Sequence, residues 1–126
     1  MVRIVVETSL PARTVSGICA LLAPGSLPAG VVGHLEERQD AGLCAGPARG
    51  GKGNWVPCWI SLQFSDARDP GFAETLRGLR DAVVEAARQG GLELLLVPAA
   101  VQWGETYHRV RDLEVEEIMR LPTGAN

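Results

Sequence analysis

The sequence predicts an α+β fold: an antiparallel sheet with helices on one face and a short C-terminal helix. Three observations carry this expectation. Apolar side chains alternate strictly from Val56 to Phe64, apolar residues recur at helical spacing from Phe72 to Ala87, and Gly or Pro punctuates the chain between such runs. A length of 126 residues fits a single domain, 1–126, able to bury its own core.

Val2–Thr8 reads as the first strand, with Val2, Ile4 and Val6 on one face and Arg3, Val5 and Glu7 on the other. Ser9-Leu10-Pro11-Ala12 then has the form of a helix start, and Val15, Ile18 and Leu22 follow at helical spacing until Pro24-Gly25. Residues 28–40 suit either a short helix or a strand; Gly30 and Gly33 weaken the helix and tip Val31–Gln39 toward a strand. Asp40–Asn54, with Gly42, Gly46, Gly50, Gly51 and Gly53 and no periodicity, is expected to be a flexible loop. Val56–Ser65 is the clearest strand. Its Cys58, Ile60, Leu62 and Phe64 share one face, and Trp59, Ser61 and Gln63 the other.

Asp69-Pro70 opens the clearest helix, whose stripe runs through Phe72, Leu76, Leu79, Val83 and Ala86 or Ala87, and Gly90-Gly91 stops it. Leu92–Val97 reads as a further strand, ended or bent by Pro98. Asp112–Leu121 reads as a short terminal helix with Leu113, Ile118 and Met119 inward. The resulting order is βαββαβ plus one helix, the order of ferredoxin-like sandwiches.

Composition narrows the function classes. Net charge is −3 with scattered basic residues, which gives no electrostatic footprint for nucleic acid or an anionic membrane. Lys52 is the lone lysine beside eleven arginines, a skew that with the Ala and Gly content points to a GC-rich genome. No stretch is apolar for the roughly 20 residues a bilayer span requires, and the first residues lack a signal peptide's apolar core, so the expected compartment is the cytoplasm. Cys19, Cys44 and Cys58 form no C-x-x-C pair, and His34 and His108 lie too far apart in sequence for a zinc spacing. Neither metal nor cofactor is expected, and Cys19 and Cys58 read as core thiols.

Gly46-Pro-Ala-Arg-Gly-Gly51-Lys52 matches the spacing of a nucleotide phosphate loop. Gly53 stands where Ser or Thr would hold magnesium, however, and the residues that follow alternate like a strand where a helix is required. What remains is weak anion binding by Arg49 and Lys52 through a mobile glycine-rich lid. Asp66 and Asp69 read as a turn and a helix cap in preference to an acid–base pair. Glu105 and His108, beside Trp103 and Tyr107, are the candidate proton-transfer couple, although no nucleophile accompanies them.

The sheet face away from the helices carries most weight. Val5, Trp59, Leu95 and Val97 are expected there, too apolar a set to be left wet. The terminal helix, a second copy, or another partner or ligand are its possible covers. The reading favoured by the sequence is a non-enzymatic association module acting through that face, as a homodimer or as an accessory or regulatory subunit, anchored by Trp59 and Leu95. An enzyme or anion-binding protein, with a small anionic ligand held between the 40–54 loop and residues 103–108, is the alternative. A viral or defence-associated protein that masks a partner surface is the third.

Overall fold

The computed structural model describes residues 1–38, 54–66 and 71–122. Three helices and a five-stranded antiparallel sheet make it an α+β fold. The glycine-rich loop, with Arg49, Lys52, Cys44 and the phosphate-loop spacing, lies outside the described residues, as does the Asp69 cap.

The strands are β1 (Val2–Pro11), β2 (Val32–Glu37), β3 (Trp55–Phe64), β4 (Ala99–Trp103) and β5 (Thr106–Val110), and the helices are α1 (Val15–Leu22), α2 (Phe72–Gln89) and α3 (Val115–Met119). Across the sheet the order is β2-β3-β1-β4-β5, so β3 lies between β1 and β2, the two strands that α1 connects. The fifth strand departs from the expected βαββαβ order.

The clear alternations become the core. Val2, Ile4 and Val6 of β1 stand opposite Phe64, Leu62 and Ile60 of β3, and all six are fully buried. From α2, Phe72, Leu76, Leu79, Val83, Ala86 and Ala87 are buried along the stripe that the 3.6-residue period marks out. The Phe72 ring meets Phe64 edge-on, with centroids 4.7 Å apart. Helix α2 ends in a Schellman motif. Gly91, at φ 90°, takes the left-handed position, its N–H donates to the Arg88 carbonyl and that of Leu92 to Ala87. Arg13 reaches the Gln89 carbonyl at the same end, a favourable place for a cation.

Several expectations need correction. Strand β1 runs on to Pro11, and a 3-10 turn at Ala12–Thr14 precedes α1, so Ser9 caps no helix. Residues 92–97 form no strand, because their backbone groups are engaged elsewhere. The Val97 N–H donates to the Asp112 carboxylate at 2.9 Å, and the Leu95 carbonyl accepts from Arg80. The fourth strand starts after Pro98, at Ala99. After Trp103 the chain forms a hairpin that the expected order lacks, and its two-residue turn, Gly104-Glu105, has its glycine at φ 63°, as a type II′ turn requires. Met119 is exposed and α3 spans only five residues, with Ile118 its buried contact. Cys19 is exposed on α1, whereas Cys58 is buried as expected.

Asp112 is the one buried charged residue among those described. Arg80 of α2 grips it with two bonds, Nε to Oδ1 at 2.9 Å and a terminal nitrogen to Oδ2 at 3.0 Å. This bidentate pair ties the irregular 92–98 segment and the approach to α3 onto α2. Burial pushes the Asp112 carboxyl up. The Arg80 hydrogen bond, the Val97 and Leu113 amides and the Arg80 charge outweigh that and hold it below the usual carboxylate range. The Asp112 hydrogen bond in turn raises Arg80.

Candidate functional site on the outer sheet face

Antiparallel pairing fixes which side chains share a face, because residues directly opposite one another point the same way. On the face away from the helices, the pairings compose rows. Val32, Gln63, Arg3, Gln102 and Tyr107 form one row across all five strands. His34, Ser61, Val5, Ala100 and Arg109 form the next. Glu36, Trp59 and Glu7 form a third. The outer face is therefore a mixed surface in which charged residues flank an aromatic.

A depression of about 360 Å³ opens on this face. Arg3, Val5, Glu7 and Trp59 line it from β1 and β3, and Ala100, Gln102, Tyr107 and Arg109 from β4 and β5. Its physical origin is the small side chain of Ala100 between the larger Val5 and Arg109 in the same row. Trp59 forms one wall and is 38% exposed. The Arg38 guanidinium stacks over the Trp59 ring, 3.7 Å from its centroid, which fixes the indole without shielding it fully from solvent.

The expected interface residues part company. Val5 and Trp59 line the depression. Leu95 is 77% exposed but lies in the irregular segment before β4, outside the sheet. Val97 belongs to the buried core at 2% exposure, because the bend that commits its N–H to Asp112 also turns its side chain inward. Helix α3 packs beside α2, on the helix side of the sheet, so no element among the described residues covers the outer face.

Glu105 and His108 are not brought together by any hydrogen bond. Glu105 is in the β4–β5 turn, exposed to solvent. His108 pairs with the core residue Val101, placing its ring on the helix side, where Nε2 lies 2.7 Å from the Pro122 carbonyl. A carbonyl only accepts, so Nε2 carries the proton and the imidazole tethers the chain beyond α3. Burial, with Glu37 and Cys19 adding to it, pushes the Cys58 thiol up to about 11, which leaves it protonated and a poor nucleophile. No group of three or more His, Cys, Asp and Glu residues among the described ones is placed to hold a metal ion, and none of their helices is long and apolar enough to cross a membrane.

Sequence reasoning missed Ala100, Gln102 and Arg109, and placed Tyr107 beside Glu105 and His108 without assigning it to the outer face. A signal was present: Thr106, Tyr107 and Val110, residue types that favour strands, follow a Gly-Glu pair that suits a two-residue hairpin turn. A second cavity, of about 500 Å³, lies between α1 and α2 and is lined chiefly by Leu21, Leu22, Leu27 and Leu79, with few polar groups to orient a ligand.

Compared with known proteins, the chain matches no family model, no curated sequence and no solved structure. The functional reading rests on the geometry of the outer face.

Proposed function

We propose that the protein is a non-enzymatic association module that forms a homodimer through the outer face of its sheet, with Trp59 and Val5 as the central contacts. The observation that supports this most is the contrast across one sheet: helices cover one face, while the other presents a half-exposed tryptophan beside a depression, uncovered among the described residues. Aromatic side chains held rigid at the centre of a patch tend to dominate interface energy, and Arg38 holds this one. In the same reading β1 to β4 with α1 and α2 are a ferredoxin-like core, to which β5 and α3 are additions. Strand β5 widens the outer face and supplies Tyr107 and Arg109.

The test is sedimentation of the wild type beside Trp59→Glu and a control on the exposed surface of α2, Arg88→Glu. The wild type and the control are expected at twice the chain mass, and Trp59→Glu at the mass of one folded chain. Equal masses for all three would refute the reading.

A small anionic ligand is the second reading, favoured by Arg3 and Arg109 lining the same depression as Trp59 and Tyr107. It calls for calorimetric binding of a small dicarboxylate that is lost in Arg3→Ala and Arg109→Ala while the native mass stays that of a monomer.

A further inference from the structure

Resting on the sheet-face homodimer, we infer that the second copy crosses the first at close to a right angle, so that Arg3 and Arg109 of each chain face Glu36 and Glu7 of the other. The sheet register places these charges. Arg3 lies one row above Val5 on β1, and Arg109 shares the Val5 row two strands away on β5. Glu7 lies one row below Val5, and Glu36 shares the Glu7 row two strands away in the opposite direction, on β2. The two arginines thus occupy one corner of the face and the two glutamates the opposite corner. Among the described residues, none of the four side chains makes a hydrogen bond or ion pair.

Strands lie about 4.8 Å apart, and alternate residues on a strand about 6.8 Å apart. On that grid, a two-fold axis between the faces, inclined about 45° to the strands and running along the other diagonal, exchanges the two corners. It brings Arg3 to within about 5 Å of standing over Glu36 of the second copy, and Arg109 equally close to its Glu7, offsets that a long arginine side chain spans. The same rotation brings each Trp59 over the other chain's depression at Ala100, a bulky group over a hollow. Strands inclined about 45° to the axis cross at about 90°, which is one of the two common arrangements of stacked sheets. Arg38 adds a positive charge beside the acidic corner but stays stacked on its own Trp59. A two-fold axis along the Val5 row is the competing geometry. It pairs Arg3 with Glu7, but it sets Arg109 against its own copy and Trp59 against Gln63.

The experiment is a charge swap read as the dimer dissociation constant by sedimentation at low salt, with far-UV circular dichroism confirming that each variant is folded. Each two-fold contact occurs twice, so Arg3→Glu alone and Glu36→Arg alone are each expected to weaken the dimer at least about ten-fold. The double variant Arg3→Glu/Glu36→Arg restores the pair in reversed sense and is expected to return close to wild-type affinity. Arg3→Glu/Glu7→Arg is expected to stay weak. Recovery by Arg3→Glu/Glu7→Arg in its place would overturn the crossed geometry in favour of the row-parallel one. A wild-type dimer indifferent to every reversal would overturn the crossed geometry while leaving the homodimer standing. A wild type that stays monomeric at every concentration would overturn both.

Discussion

The two faces of the sheet are made from alternate residues of the same strands, yet they solve different problems. On the helix side, Val2, Ile4, Val6, Ile60, Leu62 and Phe64 are fully buried against one another and α2, so burial alone accounts for each of them. On the outer side, Arg3, Glu7, Glu36 and Arg109 surround Val5 and Trp59, and the tryptophan stays partly exposed even with Arg38 stacked over its ring. Burial accounts for the first face; the second carries a large aromatic and several charged side chains that burial does not account for. Substitutions on the first should therefore cost stability, and those on the second should change what the protein associates with.

The largest expected effect is on the helix side. Phe64→Ala removes a fully buried ring in contact with Phe72 and is expected to destabilise by about 3–5 kcal/mol in urea unfolding, the cost of lost transfer energy plus a cavity. A loss below about 1 kcal/mol would mean that this face is not the stabilising one.

Next comes the tie between α2 and the C-terminal third. Asp112→Ala leaves Arg80 and the Val97 N–H without their shared acceptor and is expected to cost about 2–3 kcal/mol. The pH dependence follows from the direction of the shift. A carboxyl held lower in the folded than in the unfolded chain contributes its stability above the unfolded value, near 3.9, and loses it as pH falls through the folded value. Stability is therefore expected to fall in the acid range below about pH 4, and Asp112→Asn is expected to flatten that part of the profile. An unchanged acid limb in Asp112→Asn would assign the acid sensitivity to other carboxylates.

The smallest effect sharpens the outer face. Gly104→Ala meets no neighbour with its added methyl, so its cost, about 1 kcal/mol, comes from the left-handed backbone alone. The substitution loosens the hairpin that presents Tyr107 and Arg109, so thermal unfolding is expected to shift by a few degrees with the core intact.

The difference between the faces also explains what was legible in the sequence. Strands β1 and β3 and helix α2 were readable because Val2 to Val6, Cys58 to Phe64 and Phe72 to Ala87 keep one period against one buried surface. The ambiguous stretch after Gly30 resolves to strand β2, Val32–Glu37, although its weak alternation left a helix open. The failures cluster where tertiary bonds override local pattern. Leu92–Val97 has the apolar content of a strand, yet Asp112 and Arg80, fifteen residues away from Val97 and from Leu95 respectively, take up its backbone groups. No local rule discloses that. The displaced strand moved Leu95 and Val97 off the outer face and brought Ala100 and Gln102 onto it, and the missed hairpin hid Tyr107 and Arg109. Half of the outer face was thus visible in advance, through Val5 and Trp59 with Arg3 and Glu7 beside them. The other half depended on a register that one bend reset.

The central claim is that the outer face is an association surface, and the most direct measurement is the native mass of the wild-type chain by light scattering across a dilution series. The expected result is twice the 13.4 kDa chain mass, persisting on dilution until the dissociation constant is reached. A mass of one chain at every concentration would contradict it.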